Sequence, residues 1–142
     1  MILNSPLLIR GQDDFGSGAF QASRGRRKHK GIDIACYKGT AVGSDVYGKV
    51  TKIGYPYNQD DKRKKHFRYV QVTDSLGRDH RYFYVIPSVD VGDIVNRGVL
   101  LGITQGIAEA YNTDLKTMTD HFHYEVKEDG EYLNPHKVLE TI

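Results

Sequence analysis

The sequence predicts an all-β domain of antiparallel strands with only minor helices. Glycines recur at short distances between Gly31 and Gly106. Short runs rich in β-branched and aromatic residues lie between these glycines, which is typical of strands joined by tight turns. A chain of 142 residues can bury one core but is too short for two domains of ordinary size. We therefore expect a single domain over residues 1–142.

Alternation of apolar and polar residues predicts the strands in order along the chain. The predicted strands cover residues 46–53, 67–73, 79–86, 89–95, 98–103 and 121–126. The third strand ends at Pro87, because proline has no amide hydrogen for the ladder. The last strand is closed by a turn at residues 128–130, which contains Gly130.

Helix signals are few. One short helix is predicted within residues 107–118. A second helix is predicted at residues 135–139, because Pro135 suits the first turn of a helix. The helices are therefore expected to be minor additions to the sheet.

Composition excludes several classes of function. The 20 basic and 18 acidic side chains leave a formal net charge of +2, so no nucleic-acid partner is expected. No stretch approaches the ~20 apolar residues of a membrane span. Residues 1–10 lack the basic start and apolar run of an export signal. Cys36 is the single cysteine, so it has no internal disulfide partner, and we expect it to be a small core residue.

A basic cluster lies between the first two predicted strands. It consists of Lys62, Arg63, Lys64 and Lys65. The simplest interpretation is a solvated hairpin tip. The alternative is a patch that contacts an anionic envelope polymer. His66, His80 and His136 are most simply interpreted as surface residues.

Two short motifs predict a metal site. His29-Lys30-Gly31-Ile32-Asp33 offers two donors around a glycine, which permits a backbone bend that brings them together. Taken alone, this motif is more simply interpreted as a surface turn, because a histidine and an aspartate four positions apart often occur by chance. His121-Phe122-His123 is more specific, because residues two apart in a strand point to the same face. One imidazole can bind a metal ion while the other reaches a reacting water; the alternative is an exposed polar pair on an edge strand.

The types of donor favour zinc in a catalytic setting. Catalytic zinc takes three protein ligands and keeps a fourth position open, whereas structural zinc takes four ligands rich in cysteine. Two histidines, one aspartate and almost no cysteine match the catalytic arrangement. Zinc lowers the pKa of its bound water and polarises a carbonyl, which suits amide hydrolysis. The other imidazole of the pair, that of His121, is placed to act as a base or stabiliser.

The ordered set of motifs resembles the lysostaphin-type, LytM-like zinc endopeptidases, which cut the peptides of peptidoglycan. That family is marked by an early His-x-Gly-x-Asp and a late His-x-His, which match residues 29–33 and 121–123. Further similarity lies at residues 24–27, 39–50, 91–98, 101–102 and 133–135. The resemblance covers about residues 15–139, nearly the whole chain.

The resemblance implies a fold and a set of roles. The implied fold is a LytM-type (duplicated hybrid motif) domain, an antiparallel β-sheet groove or barrel-like structure with zinc on its floor. His29, Asp33 and His123 would bind the zinc ion. His121 would be the catalytic histidine, acting as base or stabiliser while zinc-activated water hydrolyses a peptide bond of bacterial peptidoglycan.

Tyr84 departs from the family pattern. Peptide-hydrolysing members usually carry a second catalytic histidine in a Tyr-x-His-Leu strand, and the matching stretch here is Tyr82-Phe83-Tyr84-Val85. His80 is expected on the same face but ~13 Å away, too far to replace that histidine. A tyrosine hydroxyl can donate to a developing oxyanion, but its ordinary pKa near 10 makes it a poor base. Tyr84 is therefore predicted as a second catalytic residue in a stabilising role.

The same stretch also resembles the leukocyte chemotaxin relatives, which share the zinc motif and are regarded as non-peptidase binding proteins. An alternative function is therefore a zinc-stabilised binding module that is weak or inactive as a catalyst.

A second departure is the segment 106–120, longer and more polar than the family's usual loop, which we expect to line or cap the cleft. Action is expected at the bacterial cell wall, in the periplasm or outside the cell, and the missing export signal favours a phage-borne or otherwise delivered protein.

Overall fold

The computed structural model describes residues 1–2 and 7–142, and it confirms the β-rich antiparallel fold. The strands are β1 (Ser23–Arg24), β2 (Arg27–Lys28), β3 (Ile32–Ala35), β4 (Ala41–Gly43), β5 (Gly48–Gly54), β6 (Tyr69–Asp74), β7 (Asp79–Phe83), β8 (Val85–Pro87), β9 (Ile94–Val95), β10 (Leu100–Thr104), β11 (His121–Glu128) and β12 (Glu131–Leu133). The helices are α1 (Ala108–Tyr111) and α2 (Pro135–Glu140). Residues 3–6, part of the stretch searched for an export signal, lie outside the described residues.

The main sheet has the strand order β12-β11-β7-β6-β5-β9, with β3 paired to β11 as well. Strand β11 is long enough for two partners on one edge: its first half pairs with β3 and its last residues pair with β12. A three-stranded sheet, β4-β10-β8, and the small ribbon β1-β2 complete the described strands. Within the described part of the chain, no helix is long and apolar enough to cross a membrane.

Strand β11 separates the core from the candidate site. Phe122, Tyr124 and Val126 are fully buried in the main apolar cluster, as their alternation predicts. His121 and His123 therefore project from the opposite face, and both are also buried. The polar face of this strand is thus covered by other parts of the chain rather than by water, which is unusual for two histidines.

The predicted strand over residues 79–86 is interrupted at Tyr84. The backbone of Tyr84 is left-handed, with a φ angle of 69°, a conformation that is rare for residues other than glycine. The amides of Tyr84 and Val85 both donate to the carbonyl of Arg68, at 2.8 and 3.3 Å. Strand β7 consequently ends at Phe83, and β8 begins at Val85 in the other sheet.

Two other predicted elements are shorter than expected. In the predicted strand over residues 89–95 only β9 is a strand, because Asp90 and Asp93 close a turn through hydrogen bonds of 2.9 and 3.1 Å. The predicted helix over residues 107–118 contains only the four residues of α1. Helix α2 agrees with prediction, with Asn134 capping its first turn ahead of Pro135.

The prediction that His80 is a surface residue is wrong. His80 is fully buried on the core face of β7, where its Nδ1 lies 2.7 Å from the Tyr124 hydroxyl. Its Nε2 lies 2.8 Å from a carboxylate oxygen of Asp74. His66 is exposed as expected, and Cys36 packs against the edge of the core.

Candidate metal centre

The two halves of the predicted metal motif meet across the pairing of β3 with β11. Asp33 and His123 are directly opposite each other in this ladder, and His29 lies in the segment that leads into β3. Gly31 is required here for close approach rather than for the bend expected from sequence. A Cβ atom on Gly31 would lie 2.2 Å from the carbonyl oxygen of Tyr124, which no side chain can tolerate.

Three atoms that could bind a metal ion converge on one point. His29 Nε2 lies 3.1 Å from His123 Nδ1 and 3.1 Å from Asp33 Oδ1. His123 Nδ1 lies 2.9 Å from the same Asp33 oxygen. A tetrahedral zinc ion with bonds of about 2.1 Å separates its ligands by about 3.4 Å, so this triangle is close to one face of a zinc tetrahedron.

The outer nitrogens of both imidazoles determine which atoms face the centre. His29 Nδ1 lies 2.9 Å from the carbonyl oxygen of Ala19, and His123 Nε2 lies 2.9 Å from Glu125 Oε1. Both outer nitrogens donate their proton, because a carbonyl and a carboxylate only accept. When both imidazoles are neutral, the inner nitrogens carry lone pairs and three acceptors face one another, an arrangement that either an added proton or a metal ion can satisfy.

The electrostatics of the cluster favour positive charge at this point. Burial alone would lower the pKa of His123, but hydrogen bonds to Asp33 and Glu125 outweigh it and raise that pKa to about 9. Burial likewise opposes ionisation of Asp33, yet hydrogen bonds from His123 and His29 hold its pKa well below the ordinary value. The cluster therefore attracts a proton or a metal ion.

Arg10 fixes the carboxylate of Asp33. Its Nε donates to Asp33 Oδ2 at 3.1 Å, which leaves Oδ1 directed at the two histidines. The Arg10 side chain is only 2% exposed, and its NH1 also contacts both carboxylate oxygens of Asp13 at 2.8 to 2.9 Å. Sequence reasoning missed Arg10, because nothing in its spacing of 23 residues from Asp33 indicates contact.

Glu125 is the second residue that sequence reasoning missed. It is buried beside His123 and also accepts a hydrogen bond from Arg81 at 3.1 Å. The same alternation that places His121 and His123 on one face extends to Glu125 two positions later, so this residue was recognisable from the sequence. A carboxylate behind a metal-binding imidazole fixes its tautomer and makes it a stronger ligand.

His121 lies beside the three donors without joining them. Its Nδ1 donates to the carbonyl oxygen of Thr119 at 2.8 Å, and its Nε2 lies 3.5 Å from Asp33 Oδ2. Burial lowers the pKa of His121, and the charge of Asp33 only partly opposes this. His121 is therefore neutral near pH 7 and can accept a proton at Nε2.

Tyr84 lies on the other side of His121. The two rings meet edge to face with centroids 6.0 Å apart, and the Tyr84 hydroxyl lies 3.3 Å from that of Tyr57. The left-handed backbone turns Tyr84 away from the face of His80, contrary to the shared face expected from an unbroken strand. Burial raises the pKa of the Tyr84 hydroxyl, so this group can donate a hydrogen bond but is a poor base.

A cleft of about 450 Å³ opens over the donors. Its walls include Phe15, Tyr57, Tyr84, Tyr111 and Met118. Tyr111 and Met118 come from the segment 106–120, which lines the cleft as predicted. The far end of that segment is held by Thr117 and Thr119, whose amides donate to Asp14 and Asp13 at 2.8 Å each.

Comparison with protein families and curated proteins gives two matches. The family model described as Peptidase family M23 matches residues 27–135, which include all the residues of the predicted motifs. Leukocyte cell-derived chemotaxin-2 of Mus musculus is 28% identical over 103 residues, which cover 72% of this chain. The match spans 65% of that protein, slightly less than two thirds of its length.

Solved structures with the same fold include known peptidases. The catalytic domain of lysostaphin, an antimicrobial peptidase from Staphylococcus simulans, has a TM-score of 0.63 at 19% identity, covering 90% of this chain and 91% of that domain. The structure of LytU gives a TM-score of 0.67 at 23% identity, with 98% and 88% covered. Against whole lysostaphin the TM-score is 0.62 at 17% identity, and the match covers 94% of this chain but only 54% of lysostaphin. At these identities the similarity shows the fold.

Proposed function

We propose, from the premise that this chain belongs to peptidase family M23, that it is a zinc-dependent endopeptidase acting on the peptides of bacterial peptidoglycan. The observation that carries the proposal is the meeting of three acceptor atoms at one buried point beside an open cleft. Their chemistry fits zinc better than magnesium or calcium, which prefer oxygen ligands.

His29, Asp33 and His123 would hold the ion. When bound, zinc lowers the pKa of a water molecule and polarises the carbonyl of the scissile peptide. Ala19, Glu125 and Arg10 hold the ligands in register through the hydrogen bonds described above. Because these contacts exist without substrate, the ligands need no rearrangement at the moment of reaction.

His121 would move the proton. Its Nε2 carries a lone pair and faces the donor cluster, while its Nδ1 proton is fixed on Thr119. It can accept a proton from the attacking water at Nε2 and pass it to the departing amine, as general base and then general acid. The carbonyl of Thr119 keeps the ring in the required tautomer.

Tyr84 would stabilise the developing oxyanion. Its hydroxyl is in the wall of the cleft near His121 and remains protonated at neutral pH. A neutral donor aimed at an oxyanion stabilises charge that appears only in the transition state. In this proposal the proton transfers belong to His121, and Tyr84 supplies hydrogen bonding only.

A second candidate function is a zinc-stabilised module that binds a glycan, peptide or protein without turnover. The observation that favours it is the tyrosine at position 84, where peptide-hydrolysing relatives usually have a histidine. The similarity to the mouse chemotaxin is consistent with this candidate. We favour hydrolysis because the Nδ1 proton of His121 is donated to Thr119, which leaves its Nε2 available to act as a base.

The test is incubation of the zinc-loaded protein with purified peptidoglycan of several wall types, followed by measurement of newly released amino groups. The matched control is His121→Ala with its zinc content verified. Release by the native protein and none by the variant is the expected result. No release above the control on any wall type would leave the binding module, which saturable binding to the same material would then support.

The place of action follows from the substrate. We propose that the protein works at the bacterial cell wall, whatever route delivers it there. Contact of the basic cluster with an anionic wall polymer is a further part of the proposal, carried by Lys62, Arg63 and Lys65, which are exposed. Replacing these three residues with glutamine should weaken wall retention and its salt dependence. Unchanged retention would make the cluster a solubilising loop.

A further inference from the structure

Three tyrosine hydroxyls meet in the wall of the cleft. Tyr57 comes from the loop between β5 and β6, Tyr84 from the break between β7 and β8, and Tyr111 from the end of α1. The Tyr57 hydroxyl lies 2.8 Å from that of Tyr111 and 3.3 Å from that of Tyr84. Tyr57 is therefore the central member of a hydrogen-bonded chain that joins three separate segments.

The direction of this chain determines what Tyr84 offers to the cleft. The Tyr57 hydroxyl has one proton, so it donates to at most one neighbour. If it donates to Tyr84, the Tyr84 proton is free to point into the cleft. In every other hydrogen-bonded arrangement Tyr84 must donate to Tyr57, and only its lone pairs then face the cleft.

Lys64 selects between these directions. Its ammonium group lies 4.1 Å from the centre of the Tyr111 ring and 5.4 Å from that of Tyr57. A cation over a phenol ring withdraws electron density from it and makes its hydroxyl a better donor. The effect is greater at the nearer ring, so Tyr111 donates to Tyr57 and Tyr57 donates to Tyr84. An anion at the metal centre would attract the remaining proton in the same direction.

We propose that Tyr57 is a positioning residue whose hydroxyl accepts from Tyr111 and donates to Tyr84, so that Tyr84 presents its proton to an anion at the metal centre. This inference rests on the proposed metal centre but not on turnover. It also gives Lys64 a role in the cleft, which separates it from the other members of the basic cluster. The segment 106–120 contributes to the same arrangement through Tyr111.

The test uses cobalt(II)-substituted protein and inorganic phosphate as the anion. Visible absorption of the cobalt ion reports binding at the metal centre alone, so phosphate held by surface lysines does not contribute. Tyr57→Phe should weaken phosphate binding about three-fold, less than the loss of one whole neutral hydrogen bond, because Tyr84 keeps its own bond to the anion and loses only the polarisation and restraint that Tyr57 supplies. The matched control is Tyr55→Phe in the same loop, whose ring is 51% exposed and packs on Arg68 instead; it should leave binding unchanged.

Whether Tyr57→Phe weakens or strengthens phosphate binding shows which of Tyr57 and Tyr84 donates to the other. If Tyr84 donated to Tyr57, the Tyr57→Phe variant would release the Tyr84 proton and bind phosphate more tightly. Tighter or unchanged binding therefore overturns the inference. In a Tyr84→Phe background, Tyr57→Phe should have no further effect, and a persisting loss would mean that Tyr57 only supports the fold. Phosphate that leaves the spectrum of the native protein unchanged would also overturn it.

Two further results separate this inference from the proposed function. Lys64→Met should weaken phosphate binding about two-fold, a small part of a cation–π interaction, whereas Lys62→Met should not. If the protein hydrolyses peptidoglycan, Tyr57→Phe should lower kcat with little change in KM. If it binds cobalt and phosphate but hydrolyses nothing, the proposed function fails while the Tyr57 result still decides the inference. Failure to bind cobalt would overturn both.

Discussion

Two buried histidine clusters lie on opposite faces of the sheet formed by β7 and β11. On the core face, His80 lies between the Tyr124 hydroxyl and the Asp74 carboxylate, and every acceptor has a donor. On the cleft face, His29, Asp33 and His123 present three acceptors to one another. The first cluster is complete with a neutral imidazole and protein atoms alone, whereas the second requires an added proton or a metal ion. Counting hydrogen-bond donors against acceptors thus separates a structural histidine from one in a candidate metal site.

The largest expected effect comes from removing one of the proposed metal ligands on the cleft face. His123→Ala removes one of the three proposed ligand atoms and should reduce zinc affinity by more than about 100-fold. Even a residue that only hydrogen-bonds to a metal ligand contributes about 10- to 100-fold. Zinc should also stop raising the unfolding temperature, because an ion stabilises only the state that binds it. Elemental analysis and thermal unfolding with and without zinc give the measurement. His66→Ala, at an exposed histidine, should behave as the native protein, and equal zinc loss there would refute the assignment.

Removing His80, the histidine of the core face, should lower stability and leave zinc binding unchanged. His80→Phe leaves the buried Tyr124 hydroxyl without its hydrogen-bond partner, while Asp74 keeps the guanidinium of Arg78 at 3.1 Å, so the free energy of unfolding should fall by about 1–3 kcal/mol. Zinc stoichiometry should stay that of the native protein. Urea unfolding and metal analysis provide the two readouts. His80→Gln, which can still donate and accept, should recover part of the stability; loss of zinc from that folded variant would mean that the two faces are coupled.

Glu125 allows a direct comparison of the two faces, because its carboxylate accepts from the imidazole of His123 on the cleft face as Asp74 accepts from His80 on the core face. Glu125→Gln keeps an acceptor for His123 Nε2 but loses the charge, so zinc affinity should fall about 10-fold. Competition with a metal-binding dye measures this change. Glu131→Gln, at an exposed carboxylate on β12, is the control. An equal affinity in both variants would show that the charge of Glu125 has no influence on the ion.

The smallest expected effect is a pH dependence of stability from the core face. Burial lowers the pKa of His80 below 6.5, and the hydrogen bond with Asp74 does not fully compensate. The unfolded chain therefore takes up a proton first, so stability falls as the pH drops below 6.5, by at most about 1.4 kcal/mol per pH unit. Comparing metal-free native protein with His80→Gln at pH 7 and 5.5 isolates this contribution. Parallel pH profiles for the two proteins would contradict it.

The sequence predicts the fold class and most of the sheet, because both rest on local alternation. The faces of β11 and the convergence of His29, Asp33 and His123 agree with the structure. Their role as zinc ligands, the catalytic roles of His121 and Tyr84, and the extent of a single domain stay predictions.

What sequence reasoning missed depends on contacts between distant segments or on backbone geometry. Arg10 reaches Asp33 through tertiary packing, and the tyrosine chain joins three loops that no spacing relates. The left-handed backbone of Tyr84 accompanies the donation of two successive amides to the carbonyl of Arg68, a geometry that alternation does not encode. The surface position predicted for His80 is wrong, because alternation defines two faces of a strand without saying which of them is buried.

The pairing of β3 with β11 also affects the order of folding. Asp33 and His123 are 90 positions apart, so a long loop must close before the ion-binding triangle exists. The proposed ligands therefore come together late in folding. Zinc added during refolding should change the folding rate little, whereas zinc bound to the native protein should slow unfolding. If the ion binds as proposed, it would extend the lifetime of the completed fold in addition to supplying chemistry.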